Sequence, residues 1–524
     1  MRKLSTLFCA VLMTLSAMAT DYKGNLTVSI NGEGSTQPAT ISIVENAGKY
    51  NLSILNFMLG EGESVLPVGN IVIENVTGAV AGNLTTLYVN KNITIQKGNV
   101  AGIADDAWLG PMLGEVPVKM SSSFNTNGFL GVNIDIDMVS TLGQVIKVTF
   151  ENVGNHFQMP NSDFETWSNE NNAPKHWHGF ESVKGKLSGT AKSKTKLVSS
   201  KNVRPGSKGL TSAVVTSTKV FTVIANGTMT NGVLNAGSMY AADASNHSET
   251  DLSSTSKDAN GDPFATPMYA KPDSVKFWMR FTQAKAQASY PYAAFNAVIT
   301  DGTYYQDPEN KTYTNKVAVA APNKADMTVG DWRLVSCPFD YASYAANGAE
   351  AKAILLTVST NATPGKGSYS NGVADSVYVD DLELVYLADI KSVSFKGATL
   401  DLTNTDIDIA DDDVISASDF VVEKIGEDAK VTTLVEANAK GYQAVISVVS
   451  GDLNTQKTLV FNFNKPVWAD GDVNHDGVVD LADVTLLINK VLGADATQLY
   501  NPDVNADGKV DVADVTTLVS LILG

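Results

Sequence analysis

Two stretches near the C-terminus, Asp472-Val-Asn-His-Asp-Gly-Val-Val-Asp-Leu-Ala-Asp483 and Asp503-Val-Asn-Ala-Asp-Gly-Lys-Val-Asp-Val-Ala-Asp514, repeat one pattern at an offset of 31 residues. Each puts oxygen side chains at loop positions 1, 3, 5, 9 and 12 (Asp472, Asn474, Asp476, Asp480 and Asp483; then Asp503, Asn505, Asp507, Asp511 and Asp514), with glycine at position 6. This is the spacing of a calcium loop, in which six to eight oxygens converge on one hard cation. The chain must turn sharply at Gly477 and Gly508, and the backbone carbonyls of Val478 and Lys509 complete the two expected ligand sets. Four carboxylates held close in each loop repel one another without a cation. Two calcium ions are therefore the expected cofactors of this region.

Each loop is followed by an apolar-rich run, Val484-Thr-Leu-Leu-Ile-Asn-Lys-Val-Leu and Val515-Thr-Thr-Leu-Val-Ser-Leu-Ile-Leu, closed by Gly493 and Gly524. Both runs predict helices ended by glycine. The lead-in Lys465-Pro-Val-Trp-Ala-Asp470 is short and holds Pro466, so the unit is loop-helix and lacks the entering helix of an EF-hand. Two such units at residues 470–524, with aspartate at position 12, closely resemble a type I dockerin. The resemblance implies docking onto a cohesin and the gathering of polysaccharide-degrading proteins. Loop positions 10 and 11 depart from the pair of hydroxylated residues often found in that family. They are Leu481-Ala482 and Val512-Ala513, and these four form the expected docking surface. A calcium-folded cap used only within the protein is the alternative.

The N-terminal Met1-Arg-Lys3, the apolar run after it and Ala17-Met-Ala19 predict a signal peptide cleaved after Ala19, hence export to the periplasm, cell surface or medium. Bulky Phe8 before Cys9 argues against a lipoprotein. Cys337 is then the one cysteine of the mature chain, so stability must come from packed cores and calcium rather than an intrachain disulfide. No other apolar run is long enough to predict a membrane span, and about 500 mature residues suggest three or four domains. The net charge is −18, and residues 470–524 carry −8 of it, ten Asp against Lys490 and Lys509. Such acidity argues against a nucleic-acid partner, which demands cations. Lys184–Lys208 runs the other way with eight basic residues and no acid, read either as a solvated hairpin or as an attraction for an acidic glycan.

Mainly β structure is expected upstream. Residues 20–153 alternate polar and apolar positions in short runs, as in Leu26-Thr-Val-Ser-Ile30 and Val145-Ile-Lys-Val-Thr-Phe150, punctuated by Gly and Asn. Closure into an up-and-down barrel would remove exposed edges. Tyr22-Lys-Gly-Asn-Leu26, Gly110-Pro-Met-Leu-Gly114 and Lys147-Val-Thr-Phe-Glu-Asn152 resemble the calycin-like barrel of exported Bacteroidetes proteins, which implies a lumen filled by side chains or holding a small apolar ligand. Residues 157–388 open on Asn161-Ser-Asp-Phe-Glu-Thr-Trp167 and close on Val379-Asp-Asp-Leu-Glu-Leu384, a pair of motifs that resembles the carbohydrate-metabolism domain, a jelly roll. Residues 389–466 read as a small β-sandwich spacer.

Four of the six tryptophans, Trp167, Trp177, Trp278 and Trp332, lie in the jelly-roll segment within apolar patterns that predict core positions. Tyr290, Tyr292, Tyr304 and Tyr305 fall in turn-rich loops and are the candidate glycan platform, since flat aromatic faces take sugar C–H surfaces. Glu165 with Asp380 is a candidate structural calcium pair. Asp380 and Asp381, as strand neighbours, should point to opposite faces and so cannot flank one glycosidic bond. Asp163, Glu165, Asp340 and Glu383 remain as candidate acids. His176-Trp-His178 has ligand-like spacing without an evident third ligand, and Cys337 reads as a buried thiol. The expected function is an exported, non-catalytic glycan-binding protein of polysaccharide utilisation with a calcium-dependent docking module. The alternatives are a glycoside hydrolase acting through the central domain and a carrier of a small apolar ligand in the barrel.

Overall fold

The computed structural model describes residues 19–60, 65–152, 157–168, 172–194, 197–494 and 499–524. Residues 1–18 of the predicted leader, with Cys9, lie outside them, as does Lys196. The chain forms two compact units. One holds Met1–Ser392, Val422–Thr432 and Ile446–Thr458, and the other Val393–Val421, Thr433–Val445 and Leu459–Gly524. Residues of the expected spacer divide between the two. No helix among the described residues is long and apolar enough to cross a membrane.

The N-terminal strands close into an eight-stranded antiparallel barrel: β1 (Ala19–Ile30), β2 (Glu33–Asn46), β3 (Lys49–Leu59), β4 (Leu66–Ala81), β5 (Leu84–Thr94), β6 (Glu115–Asn125), β7 (Leu130–Met138) and β8 (Gln144–Asn152). Alternation sends one side chain in two inward, and the inward set, including Leu26, Ile41, Leu52, Ile73 and Met120, forms one continuous buried cluster. The lumen is thus filled by the barrel's own side chains, which leaves the carrier reading without support. β1 pairs β8 from Gly24↔Asn152 to Ile30↔Ile146 to close the ring. The closure is tight at Gly24, where an added Cβ would stand 2.0 Å from the Glu151 carbonyl oxygen. Only glycine fits there.

The same compact unit contains a sandwich of two five-stranded sheets. In one the strands run Gly330–Pro338, Ser274–Thr282, Ser376–Val385, Ser212–Thr216 and Leu197–Ser200. In the other they run Thr228–Thr230, Ala353–Ser359, Ala294–Thr300 and Lys316–Ala320, with Thr266–Pro267 paired to Ala353–Ser359. The facing sides supply the core, where Phe277 stacks on Phe295 at 4.1 Å between ring centres. Phe129 of the barrel contacts Phe157 at 4.8 Å and Tyr269 at 5.8 Å. These contacts join barrel and sandwich, which explains why fewer compact units form than the length suggests.

A third sheet, Val233–Ala236, Asn246–Thr250 and Tyr305–Asp307, covers part of the second sheet's outer face. In the C-terminal unit, helices Leu481–Val491 and Val512–Leu523 pack through Val484, Leu487 and Leu518.

Leu52 is fully buried in the barrel core. Leu52→Ala should destabilise the barrel by about 2–5 kcal/mol, read as a lowered urea midpoint, because a packed lumen cannot collapse around the lost methyls.

Candidate functional site

The two C-terminal loops have the same local geometry. Positions 4 and 6 take left-handed backbone in both, at His475 and Gly477 (φ 57° and 91°) and at Ala506 and Gly508 (φ 57° and 86°). This curls the chain around the first and last aspartates. Asp472 accepts from the amides of Asp476 and Gly477, and Asp483 from those of Asn474 and Asp480. Asp503 and Asp514 repeat those bonds with Asp507, Gly508, Asn505 and Asp511. The Asp511 amide, foremost among these donors, holds the Asp514 carboxyl below its ordinary range.

Position 9 has a second role. Asp480 and Asp511 are the N-caps of the two helices, accepting from Ala482 and Ala513, and the position-12 carboxylate returns a bond to the N-cap amide. Each Asp-x-x-Asp is therefore a capping box as well as a pair of expected ligands. Asp472, Asp483 and Asp514 are buried. Buried carboxylate oxygens in a tight loop are the donor set that suits a hard dication. Among the described residues no three His, Cys, Asp or Glu side chains stand ready gathered for a metal. The carboxylates that accept from loop amides keep further lone pairs that could face a cation.

Residues 470–523 match the dockerin type I domain family. Type I dockerins bind calcium and dock onto a protein partner, a cohesin. Residues 18–153 match the calycin-like beta-barrel domain family. A solved structure of a Bacteroides fragilis chain described as an outer membrane protein aligns at 9% identity over 65% of this chain and 96% of its own, with a TM-score of 0.18. No curated protein matches the chain.

The dockerin's expected docking residues lie in the open. Leu481 is 72% exposed and Val512 66%, and Ala482 and Ala513 are exposed beside them. Beneath the first loop His475 is sandwiched between Trp468 at 4.5 Å and Tyr500 at 3.9 Å, both nearly parallel to it.

In the sandwich, the four candidate tyrosines do not form one platform. Tyr305 is buried against Val298, Leu355 and Tyr313, pinning the third sheet in place. Its position at the start of a short strand, paired to Thr250, turns it inward, a pairing its loop-like sequence conceals. Tyr304 is 40% exposed and donates to Glu249. Tyr290 and Tyr292 are half-buried, and their carbonyls accept from Asn361 and the Ala362 amide, bracing that loop. Of the tryptophans, Trp177 is core, as expected. Trp278 and Trp332 instead lie on the first sheet's outer face, where Arg204 covers Trp278 and Trp332 leans on Tyr378.

Glu165 and Asp380 accept from separate sets of backbone amides. Glu165 accepts from the amides of Leu210 and Thr211, and Asp380 from those of Arg204 and Asp381. The expectation that Asp380 and Asp381 diverge fails locally. Asp381 takes left-handed backbone (φ 42°) where the register of Ser376–Val385 against Ser274–Thr282 shifts, and this bulge turns both carboxylates to Arg204. The other acids have separate partners: Asp163 meets the Glu165 amide, Asp340 the Ser343 amide and Glu383 Lys276. His176 and His178 face Asp262 and Asp258 respectively, clasping a loop to the sandwich. Cys337 is buried, and burial pushes its thiol up to about 12.

Sequence reasoning missed a cavity of 420 Å³ between the second sheet's outer face and the third sheet. Asn296, Thr357 and Ser359 are on its floor, with Asn226, Ser248 and Asp307 around them. The basic stretch reaches it through Lys194, while Lys184 sits over Phe264 and Arg204 pairs with Asp381. The positive run is thus dispersed.

Burial raises Asp380 to about 6. Because its folded value lies above its unfolded one, its stabilising contribution is full below the unfolded value and is lost as pH rises through about 6. The urea midpoint of the sandwich should therefore fall less steeply between about pH 4 and about pH 7 in Asp380→Asn than in the unchanged protein.

Proposed function

We propose that the protein is an exported, non-catalytic glycan-binding protein that attaches to a cohesin-like partner through its dockerin when calcium fills the two loops. The observation that carries the docking reading is the repetition, in both loop-helix copies, of an exposed apolar pair directly after the ninth loop position. Asp472, Asn474, Asp476, Val478, Asp480 and Asp483 would hold one ion, and the six matching residues from Asp503 to Asp514 the other. The ion would supply the positive charge that the buried carboxylates lack. The separate partners of Asp163, Glu165, Asp340 and Glu383 support a binding role over hydrolysis, which needs two acids flanking one bond.

Chelation should unfold residues 470–524 and leave the upstream sheets intact, read as loss of the helical signal with the strand signal retained. Calorimetry on the full chain should find two calcium sites, one lost in Asp483→Ala. Equal thermal stability with calcium and with chelator would overturn this reading.

Because the two copies match, either half can face the partner. Ala482→Lys together with Ala513→Lys should abolish capture of a cohesin domain, while each single change leaves the other half usable, since a lone charge in an apolar contact is costly. If the double variant instead melts earlier and captures normally, these faces serve as a cap within the protein.

A further inference from the structure

We propose that the cavity beneath the third sheet is the binding site for a neutral, hydroxyl-rich ligand, a short saccharide. The proposal rests on the glycan-binding reading and gives it a location.

The floor follows from strand alternation. On Ala294–Thr300 and Ala353–Ser359 the residues Phe295, Ala297, Leu356 and Val358 point into the sandwich core, so Asn296, Thr357 and Ser359 point the other way. Asn296 and Thr357 are direct cross-strand partners. A face of this kind normally meets water. Here the third sheet roofs it, because Tyr305 buries against Val298 and Leu355 farther along the same two strands.

Roofing a polar floor leaves polar atoms without partners. Among the described residues, Asn226 Oδ1, Ser248 Oγ and Thr357 Oγ1 are buried and make no hydrogen bond, and all three residues line this one cavity. Buried polar atoms are normally paired, and an unpaired one is costly. One of the three is a pure acceptor and the other two are hydroxyls that both donate and accept. Their complement is a ligand that presents several hydroxyl groups.

The rest of the lining decides against other classes. Cations that could hold an anion are scarce. Lys194 is exposed, and His247 is already bonded to the Ala244 carbonyl and Glu249. Asp307 accepts from Asn296, and burial moves its carboxyl toward the neutral form, so it too suits an uncharged hydroxyl. A purely apolar ligand would strand the three free oxygens. The walls, which include Leu187, Leu234, Met239 and Pro308, offer apolar surface to sugar C–H groups. The 420 Å³ volume falls within the roughly 300–1,000 Å³ of small-ligand sites.

The test uses the full-length protein with calcium. A microarray of neutral and acidic oligosaccharides identifies retained glycans, and the best neutral disaccharide on it is then titrated by calorimetry. Ser248→Ala with Thr357→Val removes two hydroxyls that no protein group uses, so the melting temperature should hold or rise while affinity falls at least tenfold. Ala241→Trp, placed in the cavity wall, should abolish binding. Trp332→Ala and Tyr304→Ala should bind within twofold of the unchanged protein. If the cavity variants bind normally while Trp332→Ala or Tyr304→Ala loses binding, the cavity is the wrong site and the glycan-binding reading survives. Retention of acidic glycans alone overturns the neutral-ligand assignment. Retention of none overturns both the site and the glycan-binding reading.

Discussion

A β-strand has two faces, and the fold depends on giving each of them a suitable neighbour. The barrel meets this constraint by closure: its inward face is a filled core and its sheet has no free edge. The sandwich meets it on the inner faces, where Phe277 and Phe295 stack, but its second sheet has a divided outer face. Val298 and Leu355 need burial, while Asn296, Thr357 and Ser359 on the same two strands do not. The third sheet answers the apolar half through Tyr305 and stands off the polar half. The cavity is a direct product of that compromise. With Cys337 buried and unpaired, no covalent link among the described residues relieves the sheets of this burden.

In the dockerin the corresponding constraint is charge. Each loop must hold four carboxylates, and the chain gives two of them a structural task that is independent of any ion. Asp480 with Asp483, and Asp511 with Asp514, cap their helices reciprocally. The start of each helix and the end of each expected ion site are thus the same residues, so ion loading and helix stability are coupled by construction. The missing entering helix is compensated differently. His475 lies between Trp468, from the short lead-in, and Tyr500, from the approach to the second loop. Two stacked faces fix the first loop to both flanking segments, a task that an entering helix performs in an EF-hand.

The strands of the barrel were legible because each repeats its polar-apolar alternation for many residues, and the paired loop-helix units of the dockerin because their spacing is dense and occurs twice. Tyr305 was not legible, since its burial depends on pairing with Thr250, which is far away in the chain. Asp381 was misread because a single residue with left-handed backbone defeats the alternation rule. His176 and His178 suggested a metal, yet each faces an aspartate eighty or more residues later, a meeting that no local pattern announces. The cavity floor was hidden for a different reason. Polar residues at every second strand position read as a solvated face, and their sequence is unchanged when a distant segment covers them.

The two proposed recognition surfaces have opposite chemistry, and each suits its proposed partner. The dockerin pairs are exposed, small and apolar, so they gain from contact with a large complementary surface that excludes water. The cavity is a half-open recess lined by residues with unpaired oxygens, so it would gain from a small molecule that brings hydrogen bonds inside. Lys184–Lys208 belongs to neither in the way its charge suggested. One lysine of that run reaches the cavity edge, and other members are engaged by Phe264 and Asp381. Dispersing the charge in this way leaves the floor neutral, and a neutral floor with free hydroxyls discriminates by the arrangement of its hydrogen bonds rather than by long-range attraction.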